Sequence, residues 1–426
     1  MPPIAETNGQ LLPRPFLNLA WSNLAAQSAE QISLAAVPMI AVLALGAGPG
    51  ETGLLAAAQT LPFLLLSIPS GILADRMSRR LLLILAEALR ALALLGLVVL
   101  AATGMLSIAS LAILGFLGAS GTVMFSVAAP ALVPSLVPRG ALAAANGRIE
   151  LSRSAAFAAG PVLAGALVGW AGASSAFVLA TILSGMAVWL LASVDAPVRT
   201  APAPRHVAHE LREGAAFVWT HRLLRPILAT TVAWNLAWFV LQAAYVPYAV
   251  EMLGLTASGI GTTLAAYGAG MIVGAMLAPR IMRRLAFGTA IVVGPLFSLL
   301  ASLVMLVTLW MPSGWIAALA FFLFGGGPVL WSISQITLRQ TVTPDALMGR
   351  VSALFMTASA GSRPLGAALG GLIGTAFGLE ACIALSAAGF VAQALVIIFS
   401  PLPALAALPK GIAHPSGPKG ILPTDS

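Results

Sequence analysis

The sequence predicts an all-α polytopic membrane protein with twelve transmembrane helices in two pseudo-symmetric six-helix bundles. Hydrophobic residues make up 59% of the 426-residue chain, charged residues make up 8%, and the mean hydropathy is +0.99. Ordinary soluble domains carry roughly 25% charged residues. Because one bilayer crossing takes about 20 apolar residues, a chain of this length accommodates about twelve crossings joined by short turns.

The net charge of +8 does not indicate nucleic-acid binding, and no nucleic-acid partner is expected. The 21 Lys and Arg residues are spread over short segments between apolar runs, which membrane topology explains better. The single cysteine, Cys382, lies in an apolar run, so neither a disulfide nor a cysteine-based metal site is expected. Lys410 and Lys419 lie outside any phosphate-binding motif, so no nucleotide or other cofactor is expected.

The first bundle is predicted at residues 16–194, after a polar cytoplasmic tail at residues 1–15. Its spans 1 to 6 are expected at about 16–45, 53–74, 81–102, 108–133, 149–170 and 175–194. Span 1 is unusually polar, because Asn23, Gln27 and Glu30 are spaced i, i+4, i+7 and therefore share one helical face. That face is expected to point away from lipid, and its three residues are candidate substrate contacts.

A segment of different composition, residues 195–225, is predicted to be a cytoplasmic linker. Three prolines make its first part extended, and residues 210–219 predict a short amphipathic helix that lies on lipid headgroups. The second bundle, residues 226–400, is expected to contain spans 7 to 12 at about 226–251, 259–278, 289–311, 314–335, 351–377 and 381–400. The Pro- and Gly-rich tail at 401–426 is expected to be disordered.

The basic residues fall on one side of these predicted spans. Residues 71–80 place one carboxylate and three guanidinium groups between two apolar runs, whereas the six loops on the opposite side contain no Lys or Arg. Since loops rich in Lys and Arg stay in the cytoplasm, the sequence predicts a multi-pass protein of the inner (plasma) membrane with both termini cytoplasmic.

The chain also contains an internal repeat. Residues 76–81 (Arg-Met-Ser-Arg-Arg-Leu) recur 204 positions later as residues 280–285 (Arg-Ile-Met-Arg-Arg-Leu), and Pro161 recurs as Pro364. Two parallel repeats with a substrate site where they meet, near the middle of the membrane, are the design of many secondary transporters.

Residues 71–80 resemble the signature between helices 2 and 3 of the major facilitator superfamily, G-x-x-x-D-R-x-G-R-R, with Ser78 where glycine is usual. Residues 28–30, 87–91 and 343–350 resemble its macrolide-efflux and enterobactin-exporter-like branch, and Gly160-Pro161 resembles the helix 5 motif of the antiporters. The resemblance implies that spans 1, 4, 7 and 10 line a cavity. It also implies that spans 2, 5, 8 and 11 join the halves. The sequence fits this independently, because small residues spaced by four let helix backbones approach closely, and glycines recur at this spacing at positions 165 and 169, 270 and 274, and 366, 370, 374 and 378. The alternative is that glycine is simply frequent in membrane helices.

The signature loop is the candidate gate, and the resemblance implies that its partner is the start of span 11. The candidate gating residues are Gly71, Asp75, Arg76, Arg79, Arg80 and Arg350. Asp75 is expected to accept hydrogen bonds from helix N-terminal amides, which is worth about 0.3–1 kcal/mol when exposed and up to about 2 when partly buried. The alternative is an anchor for anionic lipid, which suits Arg79 and Arg80 better.

Glu30 is the candidate proton carrier, because it lies near the middle of span 1, where the cost of a charge favours the protonated form. The alternative is a structural ion pair with Arg363 of span 11, which is the second candidate coupling residue. Glu87 and Arg90, spaced i, i+3 on span 3, are expected to form a local structural pair.

Further substrate contacts are expected on three cavity-lining spans. The candidates are Asn235, Trp238, Gln242 and Tyr245 with the neighbouring Trp234 on span 7, Trp331 and Gln335 on span 10, and Met124 and Phe125 on span 4. Apolar walls with a few polar groups suit a largely hydrophobic small molecule. Tryptophan and tyrosine also gather at membrane interfaces, which is the alternative for this aromatic group.

These observations predict a monomeric secondary transporter that is not an enzyme. It is expected to export an amphipathic or hydrophobic small molecule, such as a drug or siderophore, in exchange for protons by alternating access. Its partners are then the substrate, protons and membrane lipid, without cofactor or metal. Uptake by proton symport and a non-transporting membrane sensor or scaffold are the alternatives.

Overall fold

The computed structural model describes residues 13–138, 141–194 and 207–409, which form thirteen α-helices and one short 3₁₀ helix. The first six are α1 (Arg14–Leu45), α2 (Pro49–Arg76), α3 (Arg79–Ala102), α4 (Ile108–Leu136), α5 (Leu142–Ala171) and α6 (Ala173–Ala192). The others are α7 (Val207–Thr220), α8 (Leu224–Glu251), α9 (Ala257–Arg284), α10 (Phe287–Val307), α11 (Gly314–Val342), α12 (Asp345–Phe377), α13 (Leu379–Ile398) and the 3₁₀ helix Leu402–Ala404. Helices α1–α6 and α8–α13 are the twelve predicted spans, and α7 is the predicted linker helix.

Eleven of these helices in the described part of the chain are long and apolar enough to cross a membrane. The remaining long helix, α12, carries Arg350 and Arg363 and packs between α2 and α8. Helices are the natural spanning element because every backbone amide and carbonyl finds its partner within the segment. We call the end of the bundle that carries Arg79 and Arg283 the basic end.

The two halves meet along two seams, α2 with α12 and α5 with α9, as the resemblance implied. Glycine permits this contact: a Cβ at Gly53 would lie 2.4 Å from the Cα of Gly371, and one at Gly261 would lie 2.3 Å from the carbonyl oxygen of Pro161. Since real Cβ atoms do not approach backbone atoms so closely, no larger residue fits at Gly53 or Gly261 without moving a helix.

The predicted glycine stripes divide between two kinds of contact. Gly165 packs against Ala257 across the α5–α9 seam, as expected. The prediction was wrong for Gly366 and Gly370, which pack against α8, and for Gly270 and Gly274, which pack against α11. These four glycines therefore join helices within the second half. The prediction failed because the spacing of glycines does not indicate which neighbouring helix they contact.

Helix α7 docks on the protein at the basic end. Its Glu213 forms an ion pair with Arg350 of α12, a Cβ at Gly214 would lie 2.7 Å from the Arg350 carbonyl oxygen, and Val218 is fully buried. The expectation that this helix simply lies on headgroups is therefore corrected: its apolar face covers the second half.

The start of the C-terminal tail is ordered, contrary to the expectation for it. Leu402 is fully buried, and the backbone N–H of Gly288 at the start of α10 donates to the carbonyl of Leu405 at 2.7 Å. The rest of the predicted disordered tail, residues 410–426, and most of the N-terminal tail, residues 1–12, lie outside the described residues.

Candidate functional site

A cavity of about 370 Å³ lies between the two halves. Its polar lining comes from both halves and includes Glu30, Gln59, Arg90, Thr122, Gln242 and Arg363. Its aromatic lining includes Phe63, Trp234, Trp238, Phe239, Tyr267 and Phe321. Helices α1, α2, α4 and α8 contribute most of the wall, whereas α11 contributes Phe321 alone among the described residues. A mostly apolar cavity with a few convergent polar groups is the usual form of a small-molecule site.

One guanidinium in the wall is shared by two carboxylates. Arg90 on α3 lies 2.9 Å from Glu87 of the same helix and 3.9 Å from Glu30 on α1. Arg90 also donates to the carbonyl of Ala26 at 2.9 Å and to the hydroxyl of Thr122 at 2.7 Å. These contacts tie α1, α3 and α4 of the first half together, and the cluster carries one more acidic group than basic ones.

The two carboxylates differ in access. Glu87 is fully buried and does not line the cavity, while the Glu30 side chain keeps 16% of its surface exposed and lines it. An ion that enters the cavity can therefore reach Glu30 directly, whereas Glu87 is held behind it. The arrangement makes Glu87 the permanent partner of Arg90 and Glu30 the accessible acid.

Arg363 faces this cluster from the second half. Its guanidinium lies 5.1 Å from the centroid of the Phe63 ring and 5.9 Å from that of Phe239. No carboxylate among the described side chains lies within 4.0 Å of it, and its buried Nε atom has no hydrogen-bond partner there. Arg90 rather than Arg363 is thus the cation within 4 Å of Glu30, and cation–π attraction stabilises Arg363 instead.

A rigid aromatic surface forms the wall on the α8 side. Trp234 and Trp238, one turn apart, stack with ring centroids 5.4 Å apart, and Trp238 also contacts Tyr267 at 5.1 Å and Phe321 at 6.0 Å. The indole N–H of Trp234 donates to the hydroxyl of Ser298 at 3.1 Å, which fixes the ring. Large flat rings offer apolar contact to varied ligands at low cost in side-chain entropy.

Comparison with known proteins identifies the family. The model of the transmembrane secretion effector family, a branch of the major facilitator superfamily, matches residues 26–416. The chain belongs to this family. It is therefore a multi-pass membrane transporter for small molecules and not an enzyme.

Two curated relatives resemble this major facilitator protein over most of their length. The multidrug efflux pump Tap of Mycobacterium tuberculosis is 24% identical over 404 residues, 91% of this chain and 93% of Tap. The enterobactin exporter EntS of Citrobacter koseri is 26% identical over 331 residues, 77% of this chain and 78% of EntS. Among solved structures, an inward-facing bacterial homologue of the iron transporter ferroportin superposes with a TM-score of 0.73 at 18% identity, over 91% of this chain and 99% of that one. This likeness confirms the fold.

In this major facilitator protein, six of the predicted coupling and substrate residues come together in the cavity. They are Glu30, Trp234, Asn235, Trp238, Gln242 and Arg363. The predicted stripe of α8, Asn235, Trp238, Gln242 and Tyr245, thus reaches the cavity at its first three members, and the neighbouring Trp234 lines the cavity as well.

The polar face of α1 reaches the cavity only at Glu30. Asn23, two turns nearer the basic end, is 4% exposed with its amide nitrogen unpaired among the described residues, and the partly buried Gln27 is not part of the lining. The predicted cavity role of both residues is corrected on this geometry, because the shared face extends past the cavity floor into helix contacts.

Five other predicted contacts are packed away from the cavity. Phe125 is 2% exposed and, with Met124, belongs to an apolar core of the first half. The Tyr245 hydroxyl donates to Thr263, and its ring packs edge-on against Phe321 with centroids 4.5 Å apart. Trp331 is 8% exposed in the core at the basic end, and Gln335, one turn further, has a buried Oε1 without a partner among the described residues.

Sequence reasoning missed the contribution of the seam helices. Gln59 and Phe63 on α2 and Tyr267 on α9 line the cavity, although the resemblance assigned both helices to the contact between halves. Two signals were present in the sequence: Gln59 is a polar residue in an apolar run, and Tyr267 is one of three tyrosines in the chain. A seam helix that packs on one side can face the cavity on another.

The candidate gate residues have separate roles in this structure. Arg80 donates to the carbonyl of Leu191 at 3.3 Å and to that of Ala192, which satisfies the end of α6. Arg79 is the first residue of α3, and Gly71 faces open space. Arg350 pairs with Glu213 of α7. The side chains of Asp75 and Arg76 lie outside the described residues, so the predicted Asp75 contact stays a prediction.

Proposed function

We propose that this transporter exports an amphipathic or hydrophobic small molecule from the cytoplasm in exchange for protons. The observation that carries the proposal is the Glu30 carboxylate, which opens to an aromatic cavity between the halves and lies 3.9 Å from Arg90. The names of Tap, a multidrug efflux pump, and EntS, an enterobactin exporter, support export and a substrate such as a drug or siderophore.

Access to the cavity supports Glu30 as the proton carrier. Glu30 lines the cavity, whereas Glu87 is fully buried beside Arg90, so Glu30 is the acid of the cluster that can exchange a proton with water. With Glu30, Glu87, Arg90 and Arg363 all ionised, the charges of these four groups cancel, and Arg363 supports the ionised form of Glu30 from across the cavity. Protonation of Glu30 removes the one carboxylate in the described cavity lining, so a proton and a substrate that contacts this carboxylate compete for the same group.

The proposed orientation has the basic end and both termini in the cytoplasm, in the inner membrane. The segment 16–194 and the segment 226–400 then act as the two moving bodies, and one chain contains the whole cavity, so the proposed unit is a monomer. In this orientation anionic headgroups are proposed to contact Arg79 and Arg80. The Asp75 latch to the start of α12 is proposed for the state in which the basic ends close.

A vesicle assay tests the proposal. Inverted vesicles from an efflux-deficient bacterial host that expresses the protein would be given rhodamine 6G, ethidium or a bisbenzimide dye, with and without an acidic lumen. Export predicts that dye accumulates in the vesicles when the lumen is acidic and that a protonophore abolishes the accumulation. Accumulation that ignores the pH gradient contradicts proton exchange, and dye release driven by an acidic lumen supports uptake by symport instead. A growth assay with a broader panel of toxic compounds in the same host then narrows the substrate.

A further inference from the structure

A second opening lies beside the central cavity, on the membrane-facing side of the α2–α12 seam. This lateral crevice is lined by Ala57, Leu61 and Leu64 of α2, by Val232 of α8 and by residues of α12 from Thr357 to Ala368. Leu365 in its rim is 61% exposed, so the mouth is at the surface that faces lipid.

The crevice exists because α2 and α12 separate towards the basic end. Their backbones touch at Gly53 and Gly371, where a Cβ on Gly53 would lie 2.4 Å from the Gly371 Cα. Eleven residues further along α2, the Cδ1 atom of Leu64 lies 3.3 Å from where a Cβ on Gly361 would stand, and no backbone atom of α2 in the described part of the chain lies within 4 Å of that position. A contact between a leucine tip and a glycine leaves a gap that two facing glycines would close.

The pseudo-symmetric seam shows the closed alternative. With the 204-residue repeat offset, Leu64 corresponds to Gly268 of α9. A Cβ on Gly268 would lie 2.5 Å from both the Cα and the N of Ala158, so α9 and α5 are in backbone contact at this level. Leu64 therefore leaves the α2–α12 seam open at the level in the membrane at which Gly268 closes the α5–α9 seam.

A wall of side chains separates the crevice from the cavity. On α12, Gly361 and Pro364 line the crevice, while Arg363 between them lines the cavity. On α2, Leu64 lines the crevice and Phe63 lines the cavity. The stack of Arg363 on Phe63 closes the wall, and side chains can change rotamer without any helix movement.

We propose that the lateral crevice is the port through which a membrane-dissolved substrate enters the cavity, with Phe63 and Arg363 as the movable wall. The occupant is the apolar end of an amphipathic molecule. Thr357 and Ser362 supply the only hydroxyls of the crevice lining, and that of Ser362 already donates to the Ala358 carbonyl at 2.6 Å. Leu64 lies about 22 Å along α2 from its first residue, about halfway along this 28-residue helix, which puts the port near the middle of the membrane. This inference rests on the proposed export and adds the route of entry.

The first test asks whether acyl chains reach the crevice. Bimane attached to Ala358→Cys in full-length protein is expected to be quenched by brominated phosphatidylcholine vesicles as strongly as bimane on Leu369→Cys, a lipid-facing control on the same helix. Cys382 is fully buried, and unsubstituted protein measures any label that it takes. Quenching at position 358 well below that at 369 would overturn the port.

The second test addresses the wall. Bimane on Gln242→Cys, inside the cavity, is expected to escape quenching by brominated lipid, and Phe63→Ala in the same protein is expected to make it quenchable. If the Phe63→Ala change leaves the quenching unaltered, the wall is not where we place it. Neither quenching test requires transport, so both still decide the inference if the protein exports no dye.

The third test asks whether substrate uses the route. Ala358→Trp, which fills the crevice without replacing a cavity residue, is expected to slow rhodamine 6G export several-fold, whereas Leu369→Trp leaves it unchanged. Equal rates in the two variants would exclude the crevice as the entry route. If the unsubstituted protein fails to export any dye of the panel, the proposed function fails, and the quenching results stand on their own.

Discussion

The carboxylate of Glu30 on α1 lies 3.9 Å from the guanidinium of Arg90 on α3. Arg90 is also bound at 2.9 Å by Glu87, which is fully buried. The two acids therefore depend on one cation, but the cavity reaches Glu30 alone. This difference in access means that Glu30 can exchange a proton with water, whereas Glu87 holds α3 in place through Arg90.

Replacing Glu30 by Gln is expected to abolish proton-driven dye accumulation while downhill dye movement continues. Glutamine keeps the size of the side chain and its hydrogen bonding but cannot exchange a proton. Accumulation in inverted vesicles should fall to the level of protonophore-treated vesicles. Glu150→Gln is the matched control, because Glu150 pairs with Arg153 and its side chain is 58% exposed. Full accumulation in Glu30→Gln would remove this residue from coupling.

Replacing Arg90 by Leu is expected to destabilise the protein strongly. It leaves the Glu87 carboxylate buried without its ion partner, and breaking a buried pair from one side costs about 3–5 kcal/mol. The double variant Glu87→Leu/Arg90→Leu should recover much of that loss, since the fully buried carboxylate is gone and only the cavity-lining Glu30 then lacks Arg90. Thermal unfolding in detergent, at equal protein and detergent concentrations, checks the expected order of stability: wild type highest, the double variant next and Arg90→Leu lowest. A single variant as stable as the double one would contradict this account.

A methyl group at Gly261 is expected to disturb the α5–α9 seam. Its Cβ would lie 2.3 Å from the Pro161 carbonyl oxygen, and such overpacking costs about 1–3 kcal/mol. Gly185→Ala is the control, because nothing lies within 4 Å of a Cβ at that exposed helical position, and alanine there should add about 0.5–1 kcal/mol of stability. Melting temperatures that move in the same direction for both variants would contradict the seam geometry.

His221, between α7 and α8, is expected to make stability depend on pH. Burial lowers the pKa of its imidazole, and Nδ1 accepts the backbone N–H groups of Leu223 at 3.2 Å and Leu224 at 3.3 Å. The neutral ring thus stabilises the folded state fully above the unfolded pKa of about 6.5, and this contribution is lost as pH falls through the lower folded value.

Thermal unfolding between pH 7.5 and pH 5 measures the effect of His221. The comparison is with His221→Asn, whose amide oxygen can accept the same N–H groups but does not titrate. The wild type should lose stability relative to this variant as the pH falls. If the stability of the wild type and of His221→Asn changes in parallel with pH, His221 contributes nothing to the pH dependence of stability.

Sequence patterns located the elements of the fold better than the partners of each face. Long apolar runs identified the spans, and the aromatic residues of α8 were identified because a cavity wall repeats on one helical face. The stripe of Gly270 and Gly274 did not reveal which helix it contacts, since a face of small residues can pack either against the other half or against a neighbouring helix of the same half. Likewise the amphipathic face of α7 could not reveal whether lipid or α12 covers it.

For a similar reason, the sequence predicted only part of the candidate site. Glu30 stands out as an acid within an apolar run, but its closest cation follows from helix packing, which brings Arg90 rather than Arg363 within 4 Å. Phe63 is one of 17 phenylalanines and becomes notable only when the structure puts the Arg363 guanidinium over its ring.

The docking of α7 on α12 also fixes where the polypeptide can be divided. Because Glu213 binds Arg350 and Val218 is buried in the second half, the covalent tether between the halves ends at Val207, well before the compositional boundary at 225. The thirteen peptide steps from Val194 to Val207 can reach at most about 47 Å. A gene cut at residue 200 would accordingly yield two fragments that each retain their own internal helix contacts, so co-expression of the two fragments is expected to reassemble the transporter.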